Sequence, residues 1–141
     1  MKPIKNKFIL LFSPHSAEGG RRVIPLSLLA ISTFLADDYD IRIFQSYDKK
    51  DYAEALEQLD KAICVGISAM TGTQIKDGLN FARLVRQKNK SVPIVWGGVH
   101  ATIKPEQTLK SPEVDINDEL DSEDFLEEES EFDIPAFLRK K

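Results

Sequence analysis

Two short blocks carry the residue types that could do chemistry: Met70-Thr71-Gly72-Thr73-Gln74-Ile75 and Trp96-Gly97-Gly98-Val99-His100-Ala101-Thr102. They offer hydroxyls, an amide, an imidazole and bare backbone, which is the equipment for holding an organic ligand. They do not form an acid–base pair or an activated nucleophile. Each block follows an apolar run that reads as a buried strand, residues 62–68 and 92–96. In an open α/β sheet, ligands bind beyond the carboxyl ends of the strands. Glycines there permit close backbone approach. Ser13 ends a third such run, Phe8-Ile9-Leu10-Leu11-Phe12, and His15 follows it. The candidate binding residues are therefore Ser13, Ser68, Met70, Thr71, Gly72, Thr73, Gln74, Gly97, Gly98, Val99 and His100, with no catalytic residue among them.

Plainer readings stand beside these. Thr71 or Thr73 would also serve as a helix cap. Gly97-Gly98 would also make a tight turn, and His100 would also be an ordinary loop residue. Arg21-Arg22 would grip a phosphate or propionate, or stand as a solvated pair. Other ligand classes lack their marks. A phosphoacceptor Asp at the end of the third strand is replaced by Ser68, and Ser13 stands where a receiver has acidic residues. Neither Gly-x-Gly-x-x-Gly after the first strand nor Gly-x-Ser-x-Gly occurs.

The elements that position these residues follow from hydrophobic periodicity. Residues 8–12 read as a central strand buried on both faces. Pro25 opens a helix, with Leu26, Leu28, Leu29, Ile31, Phe34 and Leu35 giving it a broad apolar face. A second strand is predicted at 39–44, and a short helix at 51–59 with Tyr52, Leu56 and Leu59 on one side. The third strand is 62–68. The third helix is 74–88, with Ile75, Leu79, Ala82 and Val85 inward and Arg83, Arg86 and Lys88 in its last turn, where cations suit the dipole. Residues 92–96 form the fourth strand, 105–109 a short helix, and 114–116 the start of a fifth strand. Strands alternating with helices imply a parallel sheet, α/β and flavodoxin-like, in the order 2-1-3-4-5.

At 141 residues, 42% hydrophobic and 30% charged, the chain has the composition of one soluble globular domain. No apolar run approaches the ~20 residues of a membrane span. The apolar run near the start is too short for a signal peptide, so a cytoplasmic location is expected. Cys64 is the single cysteine. It excludes an internal disulfide and a three-cysteine iron–sulfur site, and its place in a strand reads as a buried, inert thiol. Residues 1–116 hold 16 Lys and Arg against 13 Asp and Glu, whereas residues 117–141 hold 3 against 10. This balance argues against general nucleic-acid binding. It divides the chain into a body at 1–116, an acidic linker at 117–132 expected to be disordered, and an apolar-basic peptide at 133–141.

From Phe8 to Ile116 the chain resembles the cobalamin (vitamin B12)-binding domain at the N-terminus of B12-dependent radical SAM enzymes. The matching text is Phe8 to Pro14, Pro25-Leu26-Ser27-Leu28-Leu29, Tyr39-Asp40-Ile41-Arg42-Ile43, Val65-Gly66-Ile67-Ser68, Met70 to Lys76, Pro93 to His100 and Pro105 to Leu109. The resemblance implies a corrin ring over the carboxyl edge of the sheet and a nucleotide tail beside the loops after the third and fourth strands. Ser68, Thr71 and Thr73 would give hydroxyls to the tail, and Gly97 and Gly98 would let it pass. The wider cobalamin family ligates cobalt through an Asp-x-His-x-x-Gly loop. Here that place reads Ser13-Pro14-His15-Ser16-Ala17-Glu18-Gly19, and the radical SAM branch generally lacks the ligand. Binding without a histidine ligand is expected, with His15 the only candidate cobalt ligand. The sequence carries no radical SAM barrel. Its fifth strand runs into the acidic linker, where the family has a glycine-rich loop and a final helix.

Residues 133–141 resemble the C-terminal peptide of the bacterial tubulin-like cell-division GTPase, which docks on membrane-tethering and regulatory partners. The resemblance of the body to the B12-binding domain implies cobalamin as the cofactor of a binding domain without catalysis of its own, one that could serve a radical SAM enzyme in trans. The alternative is an interaction module docking on a cell-division partner through 133–141.

Overall fold

The computed structural model describes residues 7–15, 24–47 and 51–117. The Gly19-Gly20 and Arg21-Arg22 pairs, the acidic linker from residue 118 onward and the terminal peptide lie outside the described residues.

Five strands form one sheet: β1 (Phe8–Ser13), β2 (Asp40–Gln45), β3 (Ala62–Ser68), β4 (Ile94–Gly97) and β5 (Ile116–Asn117). All pairings are parallel and the order is β2-β1-β3-β4-β5, as the alternation of strands and helices predicts. The helices are α1 (Leu26–Leu35), α2 (Asp51–Glu57), α3 (Thr73–Lys88), α4 (Val99–Ile103) and α5 (Pro105–Leu109). A 3₁₀ turn, Leu59–Lys61, leads from α2 into β3.

Alternation along β1 sends its side chains to two different cores. Phe8, Leu10 and Phe12 join Val65, Ile67, Ile94 and Trp96 on the face covered by α2 and α3. There the Phe12 and Phe81 rings stack with centroids 3.8 Å apart, and Tyr52 tilts against both. Ile9 and Leu11 point the other way and meet Leu28 of α1. The two faces are covered unequally, since among the described residues only α1 lies on the second.

Several expectations change in detail. The apolar residues of α1 run around too much of its circumference for one contact line on the sheet. Only Leu28 is buried, while Leu26 is 72% and Phe34 85% exposed. In α3 the buried residues are Gly78, Phe81, Ala82 and Val85; Ile75 and Leu79 lie at the margin. The fourth strand begins at Ile94, not Val92, because Asn89 Oδ1 accepts the Ser91 and Val92 amides and holds that segment in a turn. Residues 99–103 form a helix where the sequence reading placed a loop.

The fifth strand is fixed by side chains from α3. Arg86 donates to the Val92 carbonyl at 2.8 Å and pairs with Asp115, whose carboxylate also accepts the Ile94 amide at 2.7 Å. Arg83 pairs with Glu113 at 2.8 Å. The Ser111 hydroxyl and Arg83 together hold the Glu113 carboxyl below its ordinary range.

Helix α3 sits close on the sheet because Gly78 faces it. A Cβ there would lie 2.9 Å from the Trp96 ring, 3.2 Å from Ile67 Cγ2 and 3.3 Å from Pro14 Cγ. Gly78→Val should therefore destabilise the fold by about 1–3 kcal/mol through overpacking. Urea denaturation with an unchanged m-value checks it, and a variant as stable as the parent would refute this packing.

Candidate functional site

The parallel register lines up the strand ends. Ser13 pairs with Gln45 and Ser68 with Gly97. Backbone bonds continue the alignment past the strands, from Ser46 N to Ser13 O at 3.1 Å and from Ala69 N to Gly97 O at 3.0 Å. The loops after β1, β2, β3 and β4 thus share one edge.

Between the β1, β2 and β3 loops lies a cleft of about 180 Å³. Ser13, His15, Ser68, Met70 and Gln74 line it. The sequence reading missed Gln45, Ser46 and Tyr47, which line it too. The signal was present: once β2 neighbours β1, the polar Gln-Ser-Tyr after an apolar strand belongs to the same edge. Gln74 is partly committed, because its Oε1 accepts the Met70 amide at 2.7 Å.

A second cavity, about 230 Å³, runs from the same edge down the less covered face of the sheet. Its walls are Leu28, Ile31 and Leu35 of α1 and the inward residues Ile9, Leu11 and Cys64. Its mouth is Ser68, Gly97 and Gly98. Gly66 lies on the floor without a side chain, and Leu11 Cδ2 packs 2.7 Å from where its Cβ would stand. Ser68 borders both cavities and links the polar cleft to the apolar slot. Cys64 is half-buried on the slot wall, less enclosed than the strand pattern implied, and burial pushes its thiol up from the ordinary value.

The remaining predicted residues divide. Thr71 and Gly72 are exposed on the β3–α3 loop, and Thr73 begins α3. Gly72 occupies the helix N-cap at φ 84° without a side-chain cap bond, so the threonine-cap reading fails. Val99 is exposed at the start of α4. His100 is 9% exposed on α4, with its amide bonded to Ala69 O at 3.2 Å. It is a buried helical residue, which corrects the loop reading. No group of three or more metal-binding side chains occurs among the described residues. No helix there is long and apolar enough to cross a membrane.

Gly98 serves the chain's own packing. It stands at φ 91°, and a Cβ would lie 2.9 Å from Ala69 O, 3.0 Å from Ser68 Oγ and 3.1 Å from Ala69 N. The glycine lets the β4 loop press against the β3 loop and fixes both at the mouth.

Residues 16–128 match the family model of the B12 binding domain. An uncharacterized methyltransferase of Pyrococcus horikoshii is 29% identical over 111 residues, which is 72% of this chain and 24% of that protein. The chain thus spans about a quarter of that relative's length. A response regulator receiver protein from Sinorhizobium medicae, known by crystal structure, superposes with a TM-score of 0.49 at 21% identity, covering 85% of this chain and 89% of that one. The chain belongs to the B12-binding domain family, and the cofactor of that family is cobalamin.

The contrast between Gly72 and Gly98 is testable. A Cβ at Gly72 meets nothing within 4 Å, whereas one at Gly98 strikes backbone. Gly72→Ala should cost about 1–3 kcal/mol from its positive φ alone. Gly98→Ala should cost about 1–3 kcal/mol more, from the added collision. Denaturant midpoints of the two variants decide it, and equal losses would contradict the close approach.

Proposed function

We propose that this B12-binding domain holds cobalamin with the corrin over the carboxyl ends of β1, β3 and β4 and the nucleotide tail in the slot beside α1. The observation that carries the placement is the apolar slot opening at Ser68, Gly97 and Gly98, at the same edge as the cleft. A flat aromatic base with a polar linker suits an apolar channel with a hydroxyl at its mouth. The residues present fit the group: Gly66, Gly97 and Gly98 line the slot without side chains, and Ser68 brings a hydroxyl to the place where slot and cleft meet.

In this reading Ser68 hydrogen-bonds the linker where cleft and slot meet. Leu28, Ile31 and Leu35 exclude water from the base. Ser13, Gln45, Ser46 and Gln74 offer hydroxyl and amide groups to the corrin side chains. Thr71 on the adjoining loop and Thr73 at the start of α3 serve the same purpose. His15 lines the cleft, and no cobalt ligation is assigned to it. When bound, cobalamin supplies a cobalt centre able to carry an alkyl group. The chain binds and orients that group for chemistry performed by a catalytic domain. A radical SAM partner is the candidate from the sequence resemblance. The distant Pyrococcus horikoshii relative, an uncharacterized methyltransferase, is compatible with alkyl transfer.

Titration with cobalamin should shift its visible absorbance and saturate at one equivalent. Cobinamide, which lacks the nucleotide tail, should bind at least tenfold more weakly. Cys64→Phe, which fills the slot, should cause a similar loss while the circular dichroism is retained. Equal affinity for cobalamin and cobinamide would remove the tail from the slot.

Cys64 offers a second reading of the same site. Because burial raises its thiol pKa, the thiolate fraction near pH 8 is small, and alkylation should run slower than for a free cysteine. Cobalamin should slow it further by several-fold. Unchanged labelling on saturation would place the ligand elsewhere.

A further inference from the structure

The first two turns of α3 reach back to both loops of the cleft. Gln74 takes the Met70 amide of the β3–α3 loop. One turn later, Asp77 Oδ2 accepts the His15 amide at 2.7 Å, across 62 residues of sequence. The other oxygen, Oδ1, accepts the Tyr52 hydroxyl from α2. Beside it, Gly78 lets Pro14 lie against the helix. Pro14 is buried and His15 half-buried, and both line the cleft with Ser13. The residues that leave β1 are thus set down on α3 by a bare glycine and caught by a carboxylate.

We propose that Asp77 is a positioning residue for ligand binding: its carboxylate latches the His15 amide and so fixes Pro14 and His15 on the wall of the cleft. The inference rests on the cobalamin-binding reading for its effect on affinity. The latch itself is a property of the unliganded chain. A hydrogen bond from a backbone N–H to a carboxylate is stronger than a neutral one, so this contact can hold His15 beyond the end of β1. Neither the strand pairing of β1 nor the aromatic core reaches His15. Removing the acceptor oxygen therefore frees His15 without dismantling the sheet.

Three variants of the full chain separate the latch from general stability. Asp77→Ala removes the acceptor for both donors. Asp77→Asn keeps one carbonyl oxygen for the His15 amide and presents an amide group to the Tyr52 hydroxyl. Tyr52→Phe removes only the donor from α2. In the unliganded protein, amide hydrogen exchange at His15 should be slow in the parent, in Asp77→Asn and in Tyr52→Phe, and at least tenfold faster in Asp77→Ala. Cobalamin affinity should fall about tenfold in Asp77→Ala and stay within about threefold in the other two, even where thermal denaturation shows Tyr52→Phe to be less stable. Slow exchange at His15 in Asp77→Ala overturns the latch. Equal affinity losses in Asp77→Ala and Tyr52→Phe overturn the positioning role and leave a structural one. A parent that does not bind cobalamin overturns the ligand reading, and the exchange arm still decides the latch.

Discussion

A parallel sheet must be covered on both faces, because its strands are buried on both sides and its crossovers place helices there. This molecule meets that demand fully on one face and partly on the other. Helices α2 and α3 seal Phe8, Leu10, Phe12, Ile67 and Trp96. On the opposite face, α1 covers Ile9 and Leu11 and leaves an apolar slot running toward β4. The candidate site follows from that asymmetry. Where the covered face has a stacked aromatic core, the other has Gly66, Cys64 and open space.

The glycines show how sheet packing and site geometry are joined. Three of them are required by contacts within the chain: Gly78 by Trp96, Gly66 by Leu11 and Gly98 by the Ala69 backbone. The sequence reading assigned Gly98 to the ligand. The geometry assigns it first to the approach of two loops, and any space for a ligand is a consequence of that approach. Gly72 differs, since nothing crowds it and only its positive φ calls for glycine. The same letter in the sequence therefore answers to two constraints, and only the three-dimensional neighbourhood separates them.

The fold was legible because its signals are local and repeated. A continuous apolar run marked β1, the strand–helix alternation implied the parallel order, and the boundaries of β3 were read without error. Helix α4 was missed because five residues after a glycine pair carry no periodicity. The partial burial of α1 was missed because an all-round apolar helix reads as core, and the extent of the sheet face beneath it is not written in the helix. The edge residues Ser13, Ser68, Met70 and Gln74 were legible from their place after strands and do line one cleft. Asp77 was not legible. It is a lone acid on a helix, and its partners lie 62 and 25 residues away. Long-range hydrogen bonds of this kind leave no spacing signal.

The uncovered slot also couples binding to stability. Apolar residues such as Ile31 and Cys64 gain little while one side of them faces open space. A ligand that fills the slot completes their packing, and any molecule that binds the folded chain alone shifts the folding equilibrium by mass action. In the proposed reading the cofactor therefore takes the place of protein cover on that part of the sheet. Filling the slot with side chains would stabilise the sheet and close the site in the same step. The gap that weakens this face is the same gap that a cofactor tail would enter, so stability and binding draw on one volume and oppose each other there.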